Sequence, residues 1–334
     1  MRVGMNPARG KYSDYRPARV TVAILVHIPH HTGYFAGRMD VLRACLTSLI
    51  ENTREPYDLL VFNNGSSPEV RAYLEDLQRE GAIDYLLHSR INVGKIGAFQ
   101  ILFRAAPGEV VAYADDDIYF YPGWLGEHLK ILDTFPSVGM VSGCAVRTLF
   151  NMERISANLE FAERNPEVVL HTGRFIEETW MRDWAVSYGR DPEEVRAQTE
   201  DVVERILEYR GLQAFAMANH NQFVSPKEVI VGCLPDTWSG RLMGLMDELD
   251  VAVNQAGYLR LTTRQRTTQH MGNTLGPEFA TQLGMEIEAS QPALALTSKR
   301  GRWARWRRKF LLSRPVRWFL LGVYSKLFKL LNPE

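Results

Sequence analysis

Cysteine is scarce in this chain. Its 334 residues include three, Cys45, Cys144 and Cys233, widely spaced and in apolar surroundings. An odd count with no Cys-x-x-Cys pair argues against a disulfide framework and a cysteine zinc site, and suits a reducing compartment. Long apolar runs are missing too: none reaches the roughly 18 residues of a membrane-crossing helix. Near the N-terminus, Arg2, Arg9, Lys11 and Arg16 precede only the short run Val20–Val26, which reads as a strand and not as a leader segment. No internal repeat is visible. What remains, 46% hydrophobic and 23% charged residues, is the composition of a globular protein of one large domain or two ordinary ones.

Net charge is also absent, with 39 basic and 39 acidic residues, but the balance hides an asymmetry. Residues 299–334 hold eleven Lys or Arg and a single carboxylate, Glu334, so a mildly acidic body carries a strongly basic tail. In 299–329, Arg302, Arg305, Arg307, Arg308, Arg314 and Arg317 interleave with Trp303, Trp306, Phe310, Trp318 and Phe319. That pattern describes an interfacial helix on an anionic membrane, interrupted at Pro315. A buried C-terminal helix is the plainer reading. Nucleic acid attracts such charge as well, but no nucleic-acid-binding fold accompanies it.

Along the body, β-branched and apolar runs alternate with helical spacing. Strands are expected at 20–26, 57–62, 83–87, 109–114 and 139–145, with helices at 39–52, 68–80 and from the loop at 92 to 105. The order β-α-β-α-β-α-β implies a parallel sheet flanked by helices with right-handed crossovers. Residues 151–213 change character. The segment 191–210 opens on Asp191-Pro192 and carries an apolar stripe at Val195, Val202, Val203, Ile206 and Leu207, so a helical insertion is expected. A strand-like segment follows at 214–224, a helix at 242–256 closed by Gly257, a strand at 258–263 and a linker at 286–298.

The apolar run Val110-Val111-Ala112-Tyr113-Ala114 ends on Asp115-Asp116-Asp117. A buried strand that stops on three carboxylates places them at the carboxyl edge of a parallel sheet, where such sheets bind ligands. Adjacent carboxylates repel unless a cation compensates them, and their hard oxygens suit Mg²⁺ or Mn²⁺. His27, His30 and His31 share no carboxylate or thiol partner, so they do not read as a metal group.

With these residues in order, the chain resembles family 2 glycosyltransferases of the nucleotide-diphospho-sugar transferase (GT-A) fold. The matching parts are the strand Val20–Val26, the strand end 62–67, the helix entry 92–98, Asp115–Asp117 as the "D-x-D" strand end, Pro122-Gly123-Trp124, the acidic helix 247–250 and His270. They span roughly 19–275 apart from 151–213. The resemblance implies a nucleotide-sugar-binding half at 19–150, the insertion at 151–213, an acceptor-binding half at 214–285, and the linker and membrane-associating tail at 286–334, after an N-terminal extension at 1–18.

It also implies roles. Asp117 would bind Mn²⁺ or Mg²⁺, and Asp115 the ribose or the metal, with Asp116 beside the donor and His270 as a further metal ligand. The family's base-contacting Asp is replaced here by Asn63, whose amide both accepts and donates, so a UDP, GDP or dTDP donor stays open. Asn64 shares that turn, His27 lies beside the base, and Lys95 touches the diphosphate at a helix N-terminus. The general base falls on Glu248 residue by residue, with Asp247 nearly as good, while Asp250 caps or pairs locally. Trp124, Trp238 and Arg241 would shape the acceptor side, and Trp180, Arg182 and Trp184 either a lid over it or an oligomer surface. The expected protein is an inverting glycosyltransferase, peripheral on the cytoplasmic face of the membrane, acting on a saccharide or lipid-linked acceptor in cell-surface polysaccharide assembly. A nucleotidyltransferase of related fold is disfavoured, because no Gly-rich, Arg- and Lys-bearing loop follows the first strand. A non-catalytic sugar-nucleotide scaffold is disfavoured by the intact acidic groups.

Overall fold

The β-branched run Val20–Val26 forms β1 and is buried along its whole length. Its alternate side chains point to opposite sheet faces. Val20, Val22, Ile24 and Val26 pack with Val41, Leu42, Cys45 and Leu49 of α1 (Arg38–Asn52), and with Val70 and Leu74 of α2 (Pro68–Arg79). Ala23 and Leu25 face the other way, onto Phe99, Leu102 and Phe103 of α3 (Lys95–Ala105). The computed structural model describes residues 3–235, 242 and 246–284.

The remaining elements, in chain order, are β2 (Tyr57–Asn64), β3 (Tyr85–Ser89), β4 (Val110–Asp115), β5 (Ile118–Phe120), α4 (Trp124–Thr134) and β6 (Val138–Ser142). Then come α5 (Met152–Arg164), β7 (Val168–Gly173), α6 (Glu178–Ser187), α7 (Pro192–Gln198), β8 (Glu204–Tyr209) and β9 (Leu212–Phe215). The series closes with β10 (Gln222–Pro226), α8 (Lys227–Gly232), α9 (Met246–Gln255), β11 (Leu259–Thr263), β12 (Thr268–His270) and α10 (Pro277–Gln282).

The large sheet runs β3-β2-β1-β4-β10-β6-β11-β9-β8-β7. Its first four strands are parallel, with Leu25 opposite Asp115 and Val26 opposite Asn63, so their carboxyl ends form one edge. β10 runs antiparallel to β4 and β6, and β11 parallel to β6. The sheet thereby presents the triplet and the loop between β9 and β10 side by side. A separate β5–β12 ribbon pairs Ile118 with His270.

Three expectations need correction. The helix foreseen over 191–210 stops at Gln198, and 204–209 is the strand β8, hydrogen-bonded to both β7 and β9. The segment 151–213 is therefore mixed α/β and extends the main sheet; it is not a helical insertion. Its apolar stripe fits both periods, and pairing between β7 and β9 decides for the strand. The single strand foreseen at 214–224 is two, β9 and β10, separated by the loop 216–221. The linker and the basic tail lie outside the described residues. Among the described residues no helix is long and apolar enough to cross a membrane.

Candidate active site

β4 delivers Asp115 at its end, where the backbone N–H donates to the carbonyl of Asn221 at 2.9 Å. Lys95 Nζ donates to Asp115 Oδ2 at 2.7 Å, and the Tyr113 hydroxyl donates to Oδ1. Asp116 and Asp117 turn inward and are buried. Between them sits the guanidinium of Arg38, from the first turn of α1. One Nη donates to Asp117 Oδ2 at 2.6 Å and to the Gly272 carbonyl at 3.1 Å, and the other pairs with Asp116. The His27 N–H donates to Asp116 Oδ2 at 3.2 Å.

The β5–β12 ribbon brings His270 to the same point, with Nε2 3.3 Å from Asp117 Oδ2 and the Met271 N–H on the Asp117 carbonyl at 2.8 Å. Asp117 Oδ1 is buried, and no described group hydrogen-bonds to it. An orphaned carboxylate oxygen beside an imidazole nitrogen suits a hard divalent cation.

The charges respond to this packing. Burial pushes the Asp117 carboxyl up, but His270 and Arg38 outweigh it and hold the group well below the usual carboxylate range. At Asp116 burial prevails over Arg38, and with its neighbours Asp117 and Asp115 it pushes the carboxyl up to about 6. Burial pulls the Arg38 guanidinium down, but Asp116 and Asp117 more than restore its hold on the proton. Arg38 was missed by sequence reasoning. A signal was available: it lies on the same α1 stripe as Leu42, Cys45 and Leu49, where a charge needs a buried partner.

The loops after β1, β2 and β3 interlock. Asn64 Oδ1 accepts from the Val93 N–H at 2.9 Å and its Nδ2 donates to Asn92 Oδ1 at 3.0 Å. His27 Nδ1 donates to the Asn64 carbonyl at 2.8 Å, and Asn92 Nδ2 lies 3.1 Å from His27 Nε2. Gly65 has φ +74°, and a Cβ there would come within 2.8 Å of the Asn92 backbone nitrogen, so only glycine lets the loops meet. Asn63 is 2% exposed; its Oδ1 accepts from Ser66 N–H at 3.0 Å and its Nδ2 meets His88 Nδ1 at 3.1 Å. Its amide holds the turn, which is compatible with the base-side role expected of it. Lys95 stands at the first turn of α3, behind Gly94 at φ +75°.

On α9, Asp250 is fully buried. Arg260 Nη2 lies 2.6 Å from its Oδ1, and His220 Nδ1 lies 2.9 Å from its Oδ2. Arg154 pairs with Asp247 at 2.8 Å and reaches Asp250 at 3.6 Å. Asp250 thus anchors the helix through partners from α5, β11 and the loop before β10, and not through the local pairing expected of it. The ligand atoms of His220, Asp247 and Asp250 lie within 4.8 Å of one another and could hold a cation. Arg154 and Arg260 already match those two carboxylates charge for charge. Glu248 is exposed, with no ion pair among the described residues.

Trp124 corrects another expectation. It is 1% exposed, packed on Phe120, with Nε1 donating to Thr53 Oγ1 at 2.8 Å, so it belongs to the core beneath the triplet and lines no acceptor pocket. Trp238 and Arg241 lie outside the described residues. Trp180, Trp184, Asn219, Asn221, Arg266 and Gln269 surround a cavity of about 10 Å³ next to His270, room for about one water molecule.

A strand-edge cluster of paired carboxylates, a histidine and a lysine at a helix N-terminus has the chemistry to hold a cation and an anionic ligand together. The chain belongs to glycosyl transferase family 2, whose model matches residues 34–206, and its α/β architecture is of the GT-A type. It is 28% identical over 100 residues to an uncharacterised glycosyltransferase of Nostoc sp., a match covering 30% of this chain and 31% of that one. The chain thus matches about a third of that relative's length. Among solved structures it is similar to GalNAc-T7 with UDP, GalNAc and Mn²⁺, with TM-score 0.46 and 13% identity over 77% of this chain and 44% of that one. It is also similar to the mannosyltransferase PcManGT of Pyrobaculum calidifontis in complex with GDP-Man and Mn²⁺. There the TM-score is 0.34 and the identity 20%, over 45% of this chain and 44% of that one.

Proposed function

We propose that this glycosyltransferase moves a sugar, with inversion, from a nucleotide-diphospho-sugar to a hydroxyl of a membrane- or lipid-linked saccharide, at the cytoplasmic face of a membrane. The observation that carries the reading is the Asp117 carboxylate: its buried Oδ1 has no hydrogen-bond partner among the described residues, and its Oδ2 lies 3.3 Å from His270 Nε2. Asp117 and His270, with Asp115 at the rim, would hold Mn²⁺ or Mg²⁺. That ion supplies neutralisation of the charge developing on the leaving diphosphate.

The chain's own residues do the rest. Lys95 and the α3 N-terminus face the diphosphate, and the interlocked loops of His27, Asn63, Asn64 and Asn92 form the wall toward a UDP, GDP or dTDP base. Arg38 holds Asp116 and Asp117 in place before the donor arrives. Glu248, the acidic side chain of α9 with no ion pair among the described residues, takes the proton of the acceptor hydroxyl; Asp247 is tied to Arg154. The membrane acceptor rests on the basic, aromatic sequence of 299–329. At about 1 kcal/mol per basic residue near an anionic surface, several contacts suffice to anchor the body.

The test is an assay across UDP-, GDP- and dTDP-sugars with Mn²⁺, Mg²⁺ or EDTA. Metal-dependent release of nucleoside diphosphate from one donor class supports the reading. Donor binding without turnover of any donor refutes it in favour of a scaffold. Deleting 299–334 should abolish sedimentation with anionic vesicles; unchanged sedimentation refutes the membrane part.

A further inference from the structure

The segment 151–213 reaches into the site through the end of α6. Ser187 Oγ donates its proton to the Trp184 carbonyl at 2.9 Å. With that proton committed, Oγ can only accept from His270 Nδ1, also at 2.9 Å. In the neutral imidazole that a metal ligand requires, the proton of His270 is thereby placed on Nδ1, and the lone pair of Nε2 faces Asp117 Oδ2 at 3.3 Å. Two acceptors that close call for a proton or a cation between them. Tyr188 lies flat on the imidazole, ring centroids 4.3 Å apart and planes 12° apart. Asn221 Nδ2 reaches the Tyr188 hydroxyl at 3.3 Å, and the Asn221 carbonyl accepts the Asp115 N–H at 2.9 Å. Tyr188 therefore bridges the Asp117–His270 side and the Asp115 side. Gly272, at φ +83°, allows the approach: a Cβ there would sit 2.8 Å from the Ser187 carbonyl oxygen.

We propose that the 151–213 segment completes the metal site, Ser187 fixing the tautomer of His270 so that Nε2 faces the cation and Tyr188 clamping the imidazole plane. The inference rests on the metal reading above. Both are positioning residues, acting through His270 and not on the substrate. Ser187→Ala frees the imidazole to carry its proton on Nε2 and donate to Asp117, the wrong arrangement for a metal ligand. Partners that orient a ligating histidine typically change metal affinity by about 10- to 100-fold.

The test is a titration of the full chain with Mn²⁺, with UDP and separately with GDP present, reading free Mn²⁺ by electron paramagnetic resonance. Ser187→Ala should weaken Mn²⁺ binding by about tenfold or more, and Ser187→Thr, which keeps the hydroxyl, should restore it to within about threefold. Tyr188→Leu should weaken binding, while Tyr188→Phe, which keeps the ring, should stay near wild type. Thermal melts in EDTA establish that each variant is folded. If Ser187→Ala does not fold, the Tyr188 pair decides. Folded variants that all bind Mn²⁺ like wild type would overturn the proposal, and so would Ser187→Thr binding as weakly as Ser187→Ala. No Mn²⁺ binding by the wild-type chain would overturn the metal reading itself, and this inference with it.

Discussion

Replacing Arg38 by methionine keeps most of the side-chain volume and removes the guanidinium from between two buried carboxylates. Breaking a buried ion pair by deleting one partner costs about 3–5 kcal/mol, because the other charge is stranded without water. Two carboxylates lose Arg38 here, which alone would place the loss at the upper end. Asp116 relieves part of it. Burial already holds its carboxyl up to about 6, so without Arg38 it takes up a proton and one stranded charge remains. The expected loss is therefore near the lower end, about 3 kcal/mol, or a fall in Tm of about 6–12 °C for a domain of this size. Arg38→Lys should fall between, since an ammonium cannot fork to both carboxylates. Mn²⁺ should recover more stability in Arg38→Met than it adds to wild type, because the competing cation is gone. Calorimetry in EDTA and in Mn²⁺ reads all of this. An Arg38→Met variant that melts within about 2 °C of wild type in EDTA, or equal Mn²⁺ shifts in both proteins, would refute the reasoning.

Two further outcomes are expected. Burial pushes the His128 imidazole down to about 4, so between that value and the unfolded value of about 6.5 the unfolded chain holds a proton that the folded chain does not. Stability should therefore drop as pH falls through that window, by up to roughly 3 kcal/mol, and His128→Gln should flatten the slope in urea titrations at pH 7 and pH 5; an unchanged slope would contradict it. On the acceptor side, Glu248→Gln should lower kcat by about 10²-fold or more with Mn²⁺ and nucleotide binding intact, and Asp247→Asn should stay within about tenfold. The reverse order in steady-state kinetics would move the base to Asp247.

Much of residues 19–150 was legible in the sequence because the signals there are local. The apolar run before Asp115, the β-branched run Val20–Val26 and the Pro68 start of α2 each name their element without help from the rest of the chain. The misreadings arose where distant partners decide. The stripe through Ile206 and Leu207 satisfies helical and strand spacing alike, and only β7 and β9 on either side make 204–209 a strand. At Asn63 the turn was legible in the sequence and its partners Ser66 and His88 were not. Trp124 sits in a motif near the triplet, yet its ring points into the core. Arg38 comes from α1, and Ser187 and Tyr188 from the end of α6 and the residue after it, far in sequence from Asp117 and His270, and no spacing rule links them.

The most direct test of the central claim is the Mn²⁺ dissociation constant, with nucleoside diphosphate present, for wild type, Asp117→Asn and Asp247→Asn. With the cation at the end of β4, Asp117→Asn should weaken Mn²⁺ by more than about tenfold and Asp247→Asn should leave it unchanged. Wild-type affinity in Asp117→Asn, with the loss in Asp247→Asn instead, would place the cation at the His220–Asp247–Asp250 group and contradict it.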